Sequence, residues 1–281
     1  MSITFEEVSY VYSPNSPFSH HALTDINTSI ETGKITAIIG ATGSGKSTLV
    51  QHLNGLIQPT KGTVTIGDHK IVANEKTKNL KMLRSKVGLV FQFPEMQLFE
   101  ETIYKDVAFG PKNFGFDENQ IHEYVVQALT LVGIKPELWE RSPLDLSGGQ
   151  KRRVAIAGVL ATNPDVIVLD EPTAGLDPQG SKDMMDLFVR LNTEMKKTVI
   201  MVTHDMDHVL RYADNVLVLD HGSVYYDGPV RTFFDEPQKL EALGFVAPKV
   251  LQLKQRLMSC GFDTKESLDL QEIAKMIKGD L

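Results

Sequence analysis

Apolar positions along the chain follow two rhythms. Short runs rich in β-branched and aromatic residues alternate with longer segments in which apolar residues recur every three or four positions. Ile3–Tyr12, Ile26–Ile30 and Ile35–Ile39 read as strands, the last running straight into a glycine-rich segment. Lys46–Leu53 predicts a short helix, closed by the turn residues Asn54-Gly55 and Gln58-Pro59. Thr63–Ile66 and Val87–Phe91 predict further strands, and Glu118–Val132 and Gln150–Thr162 carry helical spacing. Val166–Leu169 is a continuous apolar run, as expected for a strand buried on both faces of a parallel sheet. A helix is predicted after Pro178, then the run Val199–Val202, a short helix over Asp207–Tyr212 and the run Val216–Leu219. Strands alternating with helices imply an α/β core with a parallel sheet. The mostly helical segment 92–162 predicts a subdomain inserted into that core. After about Pro229 the pattern changes to short helices separated by Pro237, Pro248 and Gly261, too little to make a strong domain alone.

Composition narrows the setting. With 281 residues, 42% of them hydrophobic and 23% charged, the chain has enough apolar material for a full core. Its single cysteine, Cys260, can form no intrachain disulfide, so a reducing compartment is expected. No secretory pattern follows Met1, and no apolar run approaches the roughly 18 residues of a membrane span. The chain is expected to be soluble in itself, meeting a membrane only through partners. A formal net charge of −7 argues against nucleic acid as the main ligand. The basic run Lys76, Lys78, Lys81, Arg84 and Lys86 reads as a solvated helix face, and His20-His21 as a polar loop.

Three motifs carry chemistry. Gly40-Ala41-Thr42-Gly43-Ser44-Gly45-Lys46-Ser47-Thr48 fits the phosphate-loop pattern, after a strand and before a helix. Its glycines let the backbone fold tightly with N–H groups aimed inward, and the following helix adds its positive end. Lys46 then supplies a point charge to the β/γ-phosphates of ATP, and the Ser47 hydroxyl a ligand to Mg²⁺. Asp170 and Glu171 stand where an apolar strand ends, the usual place for ligand sites in parallel sheets. Asp170 is suited to hold Mg²⁺, directly or through water, and Glu171 to polarise the water that attacks the γ-phosphate. Leu146-Ser147-Gly148-Gly149-Gln150 precedes a helix beginning near Gln150, a second phosphate-facing helix N-terminus. His204 and His208, four apart and beside Asp205, could alternatively be read as metal ligands, although a hard Mg²⁺ is already served by oxygen ligands.

Through Leu146–Gln150 together with the phosphate loop, the chain resembles the ATP-binding cassette (ABC) ATPases over nearly all of residues 3–235. The resemblance implies a P-loop NTPase cassette: a mixed sheet core with an inserted helical subdomain over about 92–162. Residues 1–235 would form the ATPase domain and residues 236–281 a small C-terminal helical extension, expected to make a dimer contact. It further implies that Tyr12 stacks on adenine, with Tyr10 as the rival. Gln92 would contact Mg²⁺ or the attacking water, Ala174-Gly175-Leu176-Asp177 would communicate across a dimer, and His204 would contact the γ-phosphate and position Glu171. In this family Ser147, Gly148, Gly149 and Gln150 close over nucleotide held by the other protomer, so two cassettes share each site.

Phe91-Gln92-Phe93-Pro94-Glu95-Met96-Gln97-Leu98-Phe99-Glu100 and Asp106-Val-Ala-Phe-Gly-Pro111, together with Asn54-Gly55-Leu56, Arg152-Arg153-Val-Ala-Ile-Ala-Gly158 and Tyr212-Ala-Asp214, resemble the ATPases of energy-coupling factor (ECF) importers. Ser16-Pro17-Phe18 and Gly175-Leu176-Asp177-Pro178 resemble the second of their two paired ATPase subunits. That resemblance implies a heterodimer with a related ATPase at the cytoplasmic face of the cell membrane. Beneath a membrane-embedded T-component and its S-component, it would power uptake of vitamins or metal ions. The Gln92–Glu101 stretch would receive the T-component. Another ABC transporter, including an exporter, and a regulatory ATP clamp with little hydrolysis are the alternatives, the second disfavoured by an intact Glu171.

Overall fold

The computed structural model describes residues 2–235, 240, 242–261 and 270–278. Two sheets organise them. The first is antiparallel: β1 (Ile3–Tyr12) lies between β2 (His20–Ile30) and β4 (Lys61–Ile66), with β5 (His69–Val72) outside β4. The second has the order β10-β9-β3-β8-β7-β6, where β3 is Ile35–Ile39, β6 Val87–Val90, β7 Val166–Asp170, β8 Thr198–Val202, β9 Asn215–Asp220 and β10 Ser223–Pro229. Only β10 runs antiparallel to its neighbour; the other pairings in this sheet are parallel.

The uninterrupted apolar strands are explained by burial on both faces. On one face Ile38, Val168, Ile200, Val202 and Leu217 join a core with α1 (Lys46–Leu53) and the antiparallel sheet. On the other, Ile39, Val90, Leu169, Met201 and Val218 pack against the helices α3 (Ile103–Phe114), α4 (Glu118–Leu131), α5 (Gly148–Leu160) and α6 (Pro178–Thr193). Each such side chain contributes roughly 1.5–3 kcal/mol by leaving water, so this sheet is a rigid platform. Helix α1 is thereby wedged between the two sheets, directly below the glycine loop. Helices α3, α4 and α5 lie in sequence between β6 and β7, within the predicted helical segment 92–162.

Several expectations shift. His20 and His21 belong to β2, opposite Tyr12 and Val11, rather than to a loop, because β1 supplies the pairing that their polar side chains do not advertise. Helix α5 begins at Gly148, not near Gln150, since Ser147 caps it. Strand β6 ends at Val90, leaving Phe91 outside. Of the basic run, Lys81, Arg84 and Lys86 lie in α2 (Leu80–Lys86), while Lys76 and Lys78 precede it. Arg84 is more than a solvated charge, donating to the carbonyls of Asn54 and Gly55 at 3.2 and 3.0 Å. Beyond α7 (Met206–Tyr212) and α8 (Val230–Phe234), the C-terminal helix α9 (Lys249–Ser259) is tied back by its Lys249 N–H, which donates to Asp207 Oδ1 at 2.9 Å. Helix α10 covers Leu270–Lys278. Pro237 and the other residues of 236–239, 241, 262–269 and 279–281, part of the expected C-terminal extension, lie outside the described residues.

Candidate active site

Register brings the site together. Ile38 and Asp170 both pair with Val202, and Leu169 pairs with Val90, so β3, β6, β7 and β8 end at nearly one level. Beyond the ends of these four parallel strands stand, in chain order, the loop Gly40–Gly45, Gln92, Glu171 and His204. Residues separated by more than 160 positions thus meet along one sheet edge, where ligands of α/β sheets bind.

The phosphate loop is shaped by its glycines. A Cβ on Gly40 would strike the Leu219 carbonyl oxygen and Ser44 Oγ, and one on Gly45 would come within 2.5 Å of the Ala22 carbonyl oxygen. Gly45 has φ 101 and opens α1, a conformation that L side chains resist. Ala41, Thr42, Gly43 and Ser47 are exposed around this turn, while Ser44 and Thr48 are buried. The Lys46 ammonium donates to the carbonyls of Gly40 and Ala41 at 2.8 and 2.9 Å, holding the loop closed on itself. Burial pulls Lys46 below its ordinary pKa, against the opposing pull of Glu171 and Asp170.

Asp170 is the last residue of β7. Burial pushes its carboxyl upward and the adjacent Glu171 adds to this, while Lys46 and the Ser47 hydroxyl oppose. The Asp170 carboxylate and the Ser47 hydroxyl, with Glu171 adjacent, are oxygen donors of the kind that a hard Mg²⁺ takes. Glu171 has φ 49, which is unusual for a glutamate. Its N–H donates to the Val202 carbonyl at 3.0 Å. Its Oε1 lies 2.9 Å from His204 Nδ1, so the ring N–H donates to the carboxylate. The Glu171 side chain is mostly covered while that of His204 is 78% exposed; the histidine approaches from the open side.

Tyr12 stands exposed at the rim, its hydroxyl 3.1 Å from Thr48 Oγ1, and its ring meets Tyr10 edge-on at 4.8 Å. Tyr10 is instead partly buried against the core and packs edge-on against His52 at 5.4 Å, which favours Tyr12 over its rival for stacking. Gln92 is exposed, separated from the end of β6 by Phe91. Ser147 caps α5 with a reciprocal pair: Gln150 N–H donates to Ser147 Oγ at 3.4 Å, and Ser147 N–H to Gln150 Oε1 at 3.1 Å. Gly148 and Gly149 are exposed beside it. Among the described residues no hydrogen bond joins Ser147–Gln150 to Gly40–Thr48.

The alternative reading of His204, Asp205 and His208 as a metal site does not hold. No group of three or more such ligands converges among the described residues. His204 turns to Glu171, whereas His208 Nε2 faces Ser181 Oγ at 3.3 Å. Two buried residues carry no role in the sequence reading, although Arg152 lies in a segment that resembles the ECF ATPases. His52 is wholly inside, its Nδ1 2.7 Å from the Thr48 carbonyl, and burial takes its pKa down to about 4. Arg152 is 4% exposed and forms a bidentate pair with Glu95. Burial alone would raise Glu95, yet the Arg152 hydrogen bonds leave its carboxyl below the usual range. A signal for Arg152 exists: it lies on the 152–156–160 stripe, where the other two residues are the buried Ile156 and Leu160.

Comparison with known proteins agrees with this geometry. The ABC transporter family matches residues 23–174. The energy-coupling factor transporter ATP-binding protein EcfA2 of Lactiplantibacillus plantarum is 55% identical over 266 residues, covering 95% of this chain and 90% of that one. Its namesake in Enterococcus faecalis is 51% identical over 95% of this chain and 92% of its own length. Among solved structures, cbiO1 from Clostridium perfringens, part of the ABC transporter complex cbiONQ, superposes with a TM-score of 0.75 at 39% identity, covering 92% of this chain and 96% of that one. The cassette MJ0796, solved as a dimer in a post-hydrolysis state with ADP and Pi, gives 0.71 at 31% identity over 82% of this chain and 99% of its own. Phosphate loop, carboxylate pair and capped signature helix thus sit in a sequence similar from end to end to transport ATPases, and the chain belongs to the ATP-binding proteins of energy-coupling factor transporters, within the ABC transporter family.

Proposed function

We propose that this chain is the ATP-hydrolysing subunit of an importer, and that its phosphate loop is half of a site completed by a related ATPase. ATP binding and transport-coupled hydrolysis are properties of the family. The observation that carries the reading for this chain is the Glu171–His204 contact of 2.9 Å at the strand ends beside the phosphate loop.

In this reading the Gly40–Ser47 N–H groups and Lys46 receive the β- and γ-phosphates, and Tyr12 stacks on the base. Ser47 and Asp170, with Gln92 nearby, would hold Mg²⁺, which when bound neutralises charge on the phosphate oxygens. Glu171 accepts a hydrogen bond from the attacking water and orients it, drawing off its proton as the bond from water oxygen to the γ-phosphorus forms and the bond to the β–γ bridging oxygen breaks, releasing ADP and phosphate. His204 fixes the carboxylate through Nδ1. Positive φ at Glu171 turns the side chain back over the strand end, a geometry that the surrounding backbone must maintain. Among the described residues Ser147 Oγ bonds only to Gln150 of its own helix cap, and Gly148 and Gly149 are exposed beside it, which supports a role for them in closing the partner's site.

The partners proposed are a related ATPase and, through the Gln92–Glu101 loop, a membrane-embedded T-component carrying an S-component for a vitamin or metal ion. Among the described residues no helix is long and apolar enough to cross a membrane; peripheral attachment at the cytoplasmic face through these partners is proposed because the relatives are transporter ATP-binding proteins. Phe93, Met96 and Phe99 stand exposed on the proposed docking loop. The loop is nevertheless built: Phe99 and Glu100 N–H groups both donate to Asp106 Oδ2 at 2.9 Å, and the Phe99 ring meets Phe109 at 4.9 Å. Affinity purification of the tagged chain from native membranes tests the partnership. Recovery of a related ATPase and a multi-span membrane protein is expected; recovery of an exporter membrane subunit would overturn the import reading.

A further inference from the structure

Arg152 is the only Lys, Arg, Asp or Glu that is buried among the described residues. Its guanidinium uses three nitrogens. Nε and Nη2 donate to Glu95 Oε2 and Oε1, each at 3.1 Å, and Nη1 donates to the Ala174 carbonyl at 2.6 Å with the Pro172 carbonyl at 3.5 Å. Three elements therefore meet on one side chain: the signature helix α5, the 3₁₀ turn Pro94–Gln97, and the chain just after Glu171.

That last connection bears on the reaction. A glutamate at positive φ persists only where its surroundings fix it. On one side Glu171 N–H is bonded to Val202. On the other, Ala174 N–H donates to the Glu171 carbonyl at 3.1 Å and Leu176 N–H to Thr173 at 3.2 Å, forming a tight turn. The carbonyls of Pro172 and Ala174 in that turn are directed at Arg152. Only a planar, forked cation can grip a carboxylate with two nitrogens and a carbonyl with a third; a lysine ammonium cannot reproduce the set. Glu95, which orients the fork, lies between the exposed Phe93 and Met96. The guanidinium thereby connects the Pro94–Gln97 turn with the turn that follows Glu171.

We propose that Arg152 is a positioning residue for ATP hydrolysis, holding the strained turn of Glu171 and tying it to the Pro94–Gln97 turn. This inference rests on the reading of Glu171 as the residue that activates water. Two arms test it, in the full chain within its native membrane complex: steady-state ATP hydrolysis, and equilibrium Mg-ATP binding. Arg152→Gln is expected to lower kcat by about 10-fold or more, as expected when a reacting group is misplaced by a fraction of an ångström, with the Kd for ATP changed less than about twofold. Arg152→Lys is expected to fall between the two. Glu95→Gln, which leaves the guanidinium on its carbonyls, is expected to lower kcat by about threefold, and the double variant to lose no more than Arg152→Gln alone. Wild-type kcat in Arg152→Gln overturns the proposal, as does a loss of kcat matched by an equal loss of ATP binding. Should Arg152→Gln not fold, wild-type kcat in Glu95→Gln overturns the tie. Glu171→Gln, measured alongside, separates the two levels. If it retains turnover, the reading of Glu171 falls and the inference with it; if only the Arg152 and Glu95 variants retain turnover, the inference alone falls.

Discussion

At the residue scale, His52 shows how an unremarkable position can leave a measurable trace. Burial lowers its pKa from 6.5 to about 4, and its bond to the Thr48 carbonyl only partly opposes this. Above pH 6.5 the ring is neutral in both folded and unfolded chains, and the folded state keeps its full stability. As pH falls from 6.5 towards 4, the unfolded chain takes up a proton that the folded one refuses, so stability is lost, by up to about 3 kcal/mol. Urea unfolding across that range should therefore show a flatter acid limb in His52→Asn than in wild type; parallel curves would contradict the burial account. No local pattern marks this residue, because a histidine in a short helix after a phosphate loop is equally at home on the surface. By contrast Gly40, Lys46, Asp170 and Glu171 are singled out one by one, since each proposed chemistry requires that residue type at that spacing, whereas the role of His204 enters only through the family resemblance. What spacing does not convey is posture. The positive φ of Glu171 and the fold of Lys46 onto its own loop carbonyls are consequences of tertiary structure.

Among the elements, those buried on both faces are legible in the sequence with nearly correct ends: β3, β7, β8 and β9 differ from expectation by a residue at most at either end. Continuous apolar runs bounded by polar residues leave little choice. Strands β5 and β10 escape that reading, because both are edge strands without a continuous apolar run: β5 has only four residues and β10 runs into Asp227-Gly228-Pro229. The early start of α5 has the same character. Gly148 and Gly149 are poor helix formers, and Ser147 supports the start by accepting from the Gln150 N–H while Gln150 Oε1 accepts from the Ser147 N–H. Ser147→Ala should therefore cost about 1 kcal/mol of unfolding free energy, while Ser147→Thr, which can still cap, should cost markedly less. Denaturant titration of the three proteins checks this, and equal stability would show that the cap contributes nothing. The segment also carries a proposed role toward the partner's nucleotide, so Ser147→Thr separates helix stability from closure of that site.

For the whole molecule, the decisive arrangement is that four parallel strands end together, delivering groups near positions 40, 92, 170 and 204 to one edge. The α/β order foretells this, because parallel strands point the same way and must release their following loops on one side. The Arg152 contacts are not foretold. They join residues 57 and 22 positions apart, and no local pattern encodes a pairing across elements. Nor does the chain's own fold bring Ser147–Gln150 into hydrogen bonding with the phosphate loop among the described residues; the proposal that a second cassette closes the site comes from the family resemblance. That Glu171 drives hydrolysis in a site shared between two cassettes is tested most sharply by Glu171→Gln in the assembled complex with Mg-ATP, with turnover and association state read together. A fall in kcat of about 100-fold or more is expected, with ATP retained and the paired ATPases held closed. Wild-type turnover in that variant would overturn the mechanism.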